Sequence, residues 1–368
     1  MKKRFLGVLL SVAMVAAVLA GCGSSGAKET AAPAGSETEA ASEAASGETE
    51  AAGNTGDVIT VGFSQVGAES DWRTANSESM KSTFSTENGY NLIFDDAQQK
   101  QENQIAAIRN FIQQEVDYIV LAPVTESGWD TVLLEAKDAE IPVIIVDRMV
   151  NVSDDSLYAA WVGSNFKLEG QKACEWLKQY AAAKNMSEVN IVDIQGTIGA
   201  SAQIGRTEAL NEAVEANGWN LLAQQTGEFT QAKGQEVMES LLKQYDNINV
   251  VDCENDNEAF GAIDAIKAAG KTVGPDGDIL VMSFDTTKQG ITDTLSGDII
   301  VNTECNPLHG PRVEQIIKQL QAGETPEKQA YVEEGIYAHG SDVASVSIDG
   351  TDYEVTEVTQ DVVDARAY

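Results

Sequence analysis

Histidine is almost missing from this chain: His309 and His339 are the only two in 368 residues. Cysteine is scarce too, with four residues and no paired short spacing. A zinc site therefore lacks a ligand set, and a Cys–His nucleophile has no local signature. Basic residues are few, 24 Lys plus Arg against 58 Asp plus Glu, leaving a formal charge of −34. A surface that acidic repels nucleic acid and anionic headgroups. It admits an anionic ligand only if a local basic pocket receives it. No apolar run reaches the ~20 residues of a comfortable membrane helix.

What is present at the N-terminus sets the compartment. Lys2, Lys3 and Arg4 precede an uncharged apolar run from Phe5 to Leu19, the length of a signal-peptide core. It ends in Leu19-Ala20-Gly21-Cys22, which is similar to the lipobox of bacterial lipoproteins, with Cys22 the thiol that accepts the diacylglycerol. Residues 23–56 hold Gly, Ser, Ala, Thr and Glu with no aromatic or large aliphatic side chain. Such a segment cannot bury enough apolar surface to offset its ordering entropy, so it reads as a solvated acidic tether. The expected location is the extracytoplasmic face of the cell membrane, reached through Cys22.

The remaining length suits two domains. Strand patterns fall at Val58–Phe63, Asn91–Phe94, Tyr118–Leu121 and Val143–Val146, the last two continuous apolar runs as in strands covered on both faces. Ile105, Ile108 and Phe111, widened by Ile112, give one apolar helix face. Helices are also expected over Ser77–Thr86, Trp129–Ala139 and Pro311–Gln321. After Trp161 the alternation restarts, with strands at Asn190–Ile194, Trp219–Ala223, Val250–Asp252, Asp278–Phe284 and Ile299–Thr303. Helices between them fit Lys167–Ala183, Ala202–Ala216, Lys233–Tyr245 and Glu258–Ala268. This grammar indicates α/β lobes with parallel sheets. From Gly340 the chain alternates polar and apolar residues, as an edge strand or a tail.

Polar residues collect where strands end. Asp95 and Asp96 follow Phe94, Asp147 and Arg148 follow Val146, and Glu254 and Asn255 follow Cys253; Asp285 follows Phe284 and Glu304 follows Thr303. Ligands of open α/β sheets bind beyond the carboxyl ends of strands. Carboxylates accept from sugar hydroxyls, Arg73, Arg148 and Arg206 donate, and Asn255 does both. Trp72 and Phe229 can stack on the C–H face of a ring. For Asp95 and Asp96 the alternative is helix capping, for Trp72 plain core, and for Arg206 bracing of its lobe. Glu69 and Arg73 flank Trp72 within one inferred loop. Glu254–Glu258 is rich in acids but lacks the glycine spacing of an EF-hand. Cys174, Cys253 and Cys305 read as buried thiols, with a Cys253–Cys305 disulfide left open.

These segments resemble the type I, ribose-binding-protein-like family of periplasmic sugar-binding proteins, and within it the galactofuranose-binding proteins of bacterial ABC importers. Val61–Arg73 (VGFSQVGAESDWR) and Gln98–Gln104 (QQKQENQ) carry the likeness most specifically. Leu121–Val124, Glu135–Val143, Asp147-Arg148, Gln195–Ser201, Gly227–Thr230 and Lys233–Ser240 extend it, so that it spans residues 58–335. The resemblance implies two Rossmann-like lobes joined by a three-segment hinge near Trp161, Glu304 and Tyr331. The corresponding boundaries are 1–21 signal peptide, 22–56 tether, 57–162 plus 304–331 one lobe, and 163–303 plus 332–368 the other with the tail. It implies sugar contacts from Glu69, Arg73, Asp147, Arg148, Asn255 and Asp285, and less firmly from Asp96, Arg206, Phe229 and Glu304. Thr286-Thr287 depart from the family, which has glycine after the aspartate.

The expected protein is a monomer that binds a monosaccharide and delivers it to an ABC permease, with no metal, no cofactor, no nucleic-acid partner and no catalytic residue. A glycoside hydrolase needs one carboxyl of raised pKa in a pair, whereas arginines beside Asp147 and Glu69 act the other way. A sugar-responsive repressor needs a basic DNA-binding domain where this chain has a lipobox and an acidic tether. A lipoprotein that presents bound sugar to a membrane signalling receptor is the alternative the sequence leaves open.

Overall fold

The computed structural model describes residues 58–368; the signal peptide, Cys22 and the tether lie outside them. The first half runs β1 (Ile59–Gln65), α1 (Asp71–Thr83), β2 (Tyr90–Asp96), α2 (Gln101–Gln113), β3 (Tyr118–Leu121), α3 (Asp130–Asp138), β4 (Val143–Val146) and β5 (Ala160–Gly163). The second runs α4 (Phe166–Ala183), β6 (Asn190–Gln195), α5 (Ser201–Asn217), β7 (Asn220–Thr226), α6 (Gln231–Gln244), β8 (Val250–Cys253), α7 (Asp256–Ala268), β9 (Leu280–Asp285), α8 (Lys288–Ser296) and β10 (Val301–Glu304). The chain then returns through α9 (Gly310–Gln321) and β11 (Gln329–Tyr331), and closes with β12 (Ile336–Ala338), β13 (Ser345–Ile348), β14 (Thr351–Glu357) and α10 (Gln360–Ala365).

Two sheets result. One is all parallel in the order β11-β5-β4-β3-β1-β2; the other has the order β13-β14-β12-β10-β9-β8-β6-β7, antiparallel only at β10–β12 and β13–β14. Central strands are apolar throughout because helices cover both faces: every residue of β4 is buried. Each sheet separates two apolar clusters. Phe63 and Val120 lie on one side of the first sheet, and Phe111, Trp129 and Leu133 on the other. Trp176 stacks on Tyr180, 4.7 Å between centroids, in the larger cluster of the second sheet. Fully burying a large apolar side chain contributes about 1.5–3 kcal/mol, so these layers fix the lobes as rigid bodies. The chain passes between sheets three times: between Gly163 and Phe166, between Glu304 and Gly310, and between Tyr331 and Ile336. That is the three-segment hinge expected.

Several elements differ from expectation for local reasons. Helix α1 begins at Asp71 rather than Ser77, because the Ser70 hydroxyl accepts from Arg73 N at 3.1 Å and caps it. Trp72 and Arg73 thus sit on a helix's first turn, not in a loop. Helix α8 was not foreseen; Thr287 caps it and Gly297, at φ 89°, ends it. The tail after Gly340 forms the β13–β14 hairpin and α10 on the second sheet's edge. Cys174, Cys253 and Cys305 are all free and buried, which removes the disulfide. Among the described residues no helix is long and apolar enough to cross a membrane.

Candidate functional site

The strand ends of both sheets face one cleft. From the first lobe come Glu69 after β1, Trp72 and Arg73 on α1, and Asp147 and Arg148 after β4. From the second come Phe166 on α4, Arg206 on α5, Phe229 before α6, Asn255 before α7 and Asp285 at the end of β9. Together with Ser70, Ala202 and Cys305 they line one cavity. The lobes meet at its lip: Asp71 N donates to Asn257 Oδ1, Glu126 N to the Gly199 carbonyl, and Met149 N to Ser201 Oγ, each at 2.9 Å. The two lobes are therefore closed on each other.

Charges in the cleft are interleaved. Arg73 Nε donates to Glu69 Oε1 at 2.9 Å, while its Nη1 lies 2.7 Å from Asp147 Oδ2. Arg148 donates to the Val124 carbonyl at 3.0 Å and lies 3.8 Å from Glu69 and 3.9 Å from Asp147. Its guanidinium lies 5.0 Å from the Phe229 ring centre. Arg206 grips Glu169 through Nε and Nη2, at 2.8 and 2.7 Å, donates to the Glu254 carbonyl, and stands 3.8 Å from Asp285. Burial alone would raise Asp147, but Arg73 and Arg148 outweigh it and hold the carboxyl below its ordinary value. Burial pushes Asp285 well up, and Arg206 only partly offsets that.

The backbone is strained at the same points. Asp147, Phe229 and Asp285 have φ of 62°, 60° and 102°. Non-glycine residues hold such angles where surrounding structure imposes them, and they cluster at functional sites. Gly196 makes room for one of them: a Cβ there would lie 1.9 Å from the Phe229 ring. Trp72, Phe166 and Phe229 form a buried apolar cluster around the polar groups. Trp72 also fixes the hinge, its Nε1 donating to the Cys305 carbonyl at 2.7 Å. Glu69 Oε2, Asp147 Oδ2 and Arg206 Nη2 are buried without an aligned hydrogen-bond partner. Asp147 Oδ2 is still ion-paired with Arg73 and Arg206 Nη2 with Glu169, which leaves Glu69 Oε2 the acceptor without a partner among the described residues.

Two anticipated residues lie elsewhere. Asp96 is exposed at the end of the edge strand β2, where its Oδ1 accepts from Gln98 N at 2.8 Å; an edge strand does not reach the cleft. Glu304 accepts from Gly335 N, Arg366 Nη1 and Tyr368 Oη, at 2.9, 2.7 and 2.7 Å, so the tail occupies its carboxylate. The acidic stretch at Glu254 is a helix start: Asn255 caps α7, and Asp256 accepts from Ser283, Thr287 and Asn302. Phe166, Ser70, Ala202 and Glu169 were not foreseen as parts of the site or its support. The signal for Phe166 was an aromatic directly after Ser164-Asn165 at a lobe crossing. Among the described residues, Glu169, Cys305 and Glu334 have potential ligand atoms within 4.8 Å of one another.

Two lobes closed over a polar cleft are the arrangement in which a solute-binding protein encloses its ligand. A profile of the periplasmic binding protein domain matches residues 61–303, and the chain belongs to that family. It is 42% identical over 284 residues to the galactofuranose-binding protein YtfQ of Escherichia coli, covering 76% of this chain and 87% of that one. A Mycobacterium smegmatis protein solved with β-D-fucofuranose is 43% identical with a TM-score of 0.73, covering 76% of this chain and 91% of the other. The binding component of the Shewanella arabinose transporter, solved with L-arabinofuranose, is 42% identical with a TM-score of 0.71, over 76% and 92% of the two chains.

Proposed function

We propose that this chain is the extracytoplasmic, lipid-anchored binding component of an ABC importer, and that its cargo is a neutral monosaccharide in furanose form. The observation that carries the reading is the convergence of carboxylates and guanidinium groups from both lobes on one cavity wall, with Glu69 Oε2 buried and without a partner among the described residues. Sugar hydroxyls both donate and accept, so one small polyol can meet acceptors and donors of both lobes. The charge balance supports an uncharged ligand, because Glu69 and Asp147 oppose Arg73 and Arg148, and Glu169 opposes Arg206. Furanose is favoured because the three relatives named above are described with furanose sugars.

Each lobe supplies both carboxylate and guanidinium, so neither half satisfies the ligand alone. Binding therefore favours the closed arrangement, and the closed surface is what an importer distinguishes. Calorimetry with galactose and arabinose equilibrated in water, against the same sugars locked as methyl pyranosides, tests the ring form. Binding of the free sugars alone supports the furanose; equal binding of the locked pyranosides overturns it. Mass spectrometry of the mature protein, with and without Cys22→Ala, tests the anchor.

A further inference from the structure

Behind the cleft, one side chain touches all three hinge crossings. Glu334 lies on the third, between β11 and β12. Its Oε1 accepts from Ser164 Oγ on the first crossing at 2.6 Å and from Asn306 N on the second at 2.7 Å. Its own carbonyl accepts from Lys172 Nζ of α4 at 2.8 Å. The next carboxylate inward is Glu169, which is 1% exposed. Glu169 Oε2 takes both Nε and Nη2 of Arg206, while Oε1 has no donor among the described residues. A chain of contacts thus runs from Asp285 and Arg206 in the cleft through Glu169 to Glu334 and the hinge.

Glu169 is buried and Glu334 half-buried beside it, and two carboxylates with oxygens within 4.8 Å disfavour each other's ionisation. Burial raises the Glu169 carboxyl above its ordinary value, and Arg206, which stays cationic, opposes that and favours the charge on Glu169 over Glu334. The orphaned Oε1 of Glu169 needs a donor, and the facing carboxyl can supply one only if protonated.

We propose that Glu334 is a positioning residue, held as a neutral carboxylic acid in the closed state, that donates its proton to Glu169 and so ties the three crossings to the cleft arginine. Arg206 and Glu169 belong to one lobe and move together. The bonds that shift on opening are those of Glu334 to Ser164, Asn306 and Glu169. The charged groups facing the pair are Arg206 and Lys172, which favour ionisation, and Glu304, which opposes it; the Cys305 thiol beside them is neutral, pushed well up by burial. Burial, then Glu169, pushes Glu334 well above the ordinary carboxylate range. Deprotonation therefore sets two anions against each other in the closed hinge and weakens closure as pH rises, by up to about tenfold in affinity per pH unit across the titration.

This inference rests on Arg206 being a cleft residue for the sugar, so the test carries a ligand-free arm. Wild type, Glu334→Gln and Asp147→Asn are compared between about pH 5 and 9, by calorimetry with L-arabinose and D-galactose and by thermal unfolding without sugar. Glutamine keeps an acceptor for Ser164 and Asn306 and gives Glu169 a donor that does not titrate. The expected result is a wild type that loses affinity and unfolding temperature with rising pH, and a Glu334→Gln protein that loses neither. Asp147→Asn binds weakly yet keeps the wild-type pH slope of unfolding. A Glu334→Gln protein with the wild-type slope, or destabilised at every pH, overturns the proposal. If no sugar binds wild type while the unfolding profiles still diverge, the hinge assignment stands and the sugar assignment falls.

Discussion

Replacing Asp147 by Asn tests the cleft with little disturbance to the fold. Position 147 has φ 62°, which asparagine tolerates better than most side chains, so the backbone turn after β4 survives. What disappears is the charge opposite Arg73 Nη1 at 2.7 Å and the anionic acceptor Oδ2 on the cavity wall. A hydrogen bond to a charged group contributes about 1.5–3 kcal/mol, so affinity should fall by roughly 10- to 150-fold. Stability should fall by less than the ~3–5 kcal/mol of a buried pair broken outright, because Arg73 keeps Glu69 at 2.9 Å. The folded carboxyl titrates below its unfolded value, so its contribution is complete above the unfolded pKa of ~3.9. It is lost as pH falls through the folded one, and the stabilities of variant and wild type should converge in acid. Titration calorimetry at neutral pH, with circular dichroism for the fold, reads both effects. A dissociation constant within about twofold of wild type in a well-folded variant would remove Asp147 from the site, since even the smaller loss corresponds to about tenfold.

Other positions give independent expectations. Thr286 has φ 55°; Thr286→Gly should relieve ~1–2 kcal/mol of left-handed strain against ~0.5–1 kcal/mol of added chain entropy. A higher urea midpoint checks it, and a lower one refutes it. Asp193 and Asp252 are cross-strand neighbours on β6 and β8, and burial raises both. Their favourable share is present below the unfolded pKa and lost as pH rises through the folded one. Asp252→Asn should therefore gain on wild type in thermal unfolding towards alkaline pH and show no advantage near pH 4, about the unfolded value. The double variant Asn257→Ala/Ser201→Ala removes two of the lip bonds, worth about 0.5–1.5 kcal/mol each. Its sugar-free radius of gyration by X-ray scattering should increase and its affinity weaken severalfold; unchanged values would show that the lip does not hold the lobes together.

Sheets and layers were legible because their code is local. Val143–Val146 reads as a buried strand from four consecutive aliphatics, and polar residues at strand ends point at a crevice whatever the strand order. Strand order is not local, and it separates Asp147 from Asp96. Both are aspartates after an apolar strand, yet β4 lies inside the sheet and β2 on its edge. Glu304 is held away from the cavity by longer-range contacts: its partners Arg366 and Tyr368 lie 62 and 64 residues away, in the tail. Phe166 escaped because it enters from the start of a helix, where a search of strand ends does not look. The early start of α1 was legible in principle, since Ser70 is a good cap, but Trp72 and Arg73 were read for their chemistry first.

The cation type in the cleft follows from the same physics. All three positive groups on the cavity wall are arginine, although lysine is the commoner base in the chain. A lysine buried this deeply sheds its proton readily, whereas guanidinium stays charged and offers donors in a fixed fork. The structure shows the contrast directly: burial lowers Lys172, and that residue serves the hinge backbone rather than the cavity. Arginine lets Arg73 satisfy Glu69 and Asp147 together, and lets Arg206 hold Glu169 while facing Asp285. Each carboxylate and guanidinium is thus compensated before a ligand arrives, which limits desolvation cost. The few atoms left unaligned then set what the cleft accepts: a small molecule able to donate and accept at once, carrying no charge of its own.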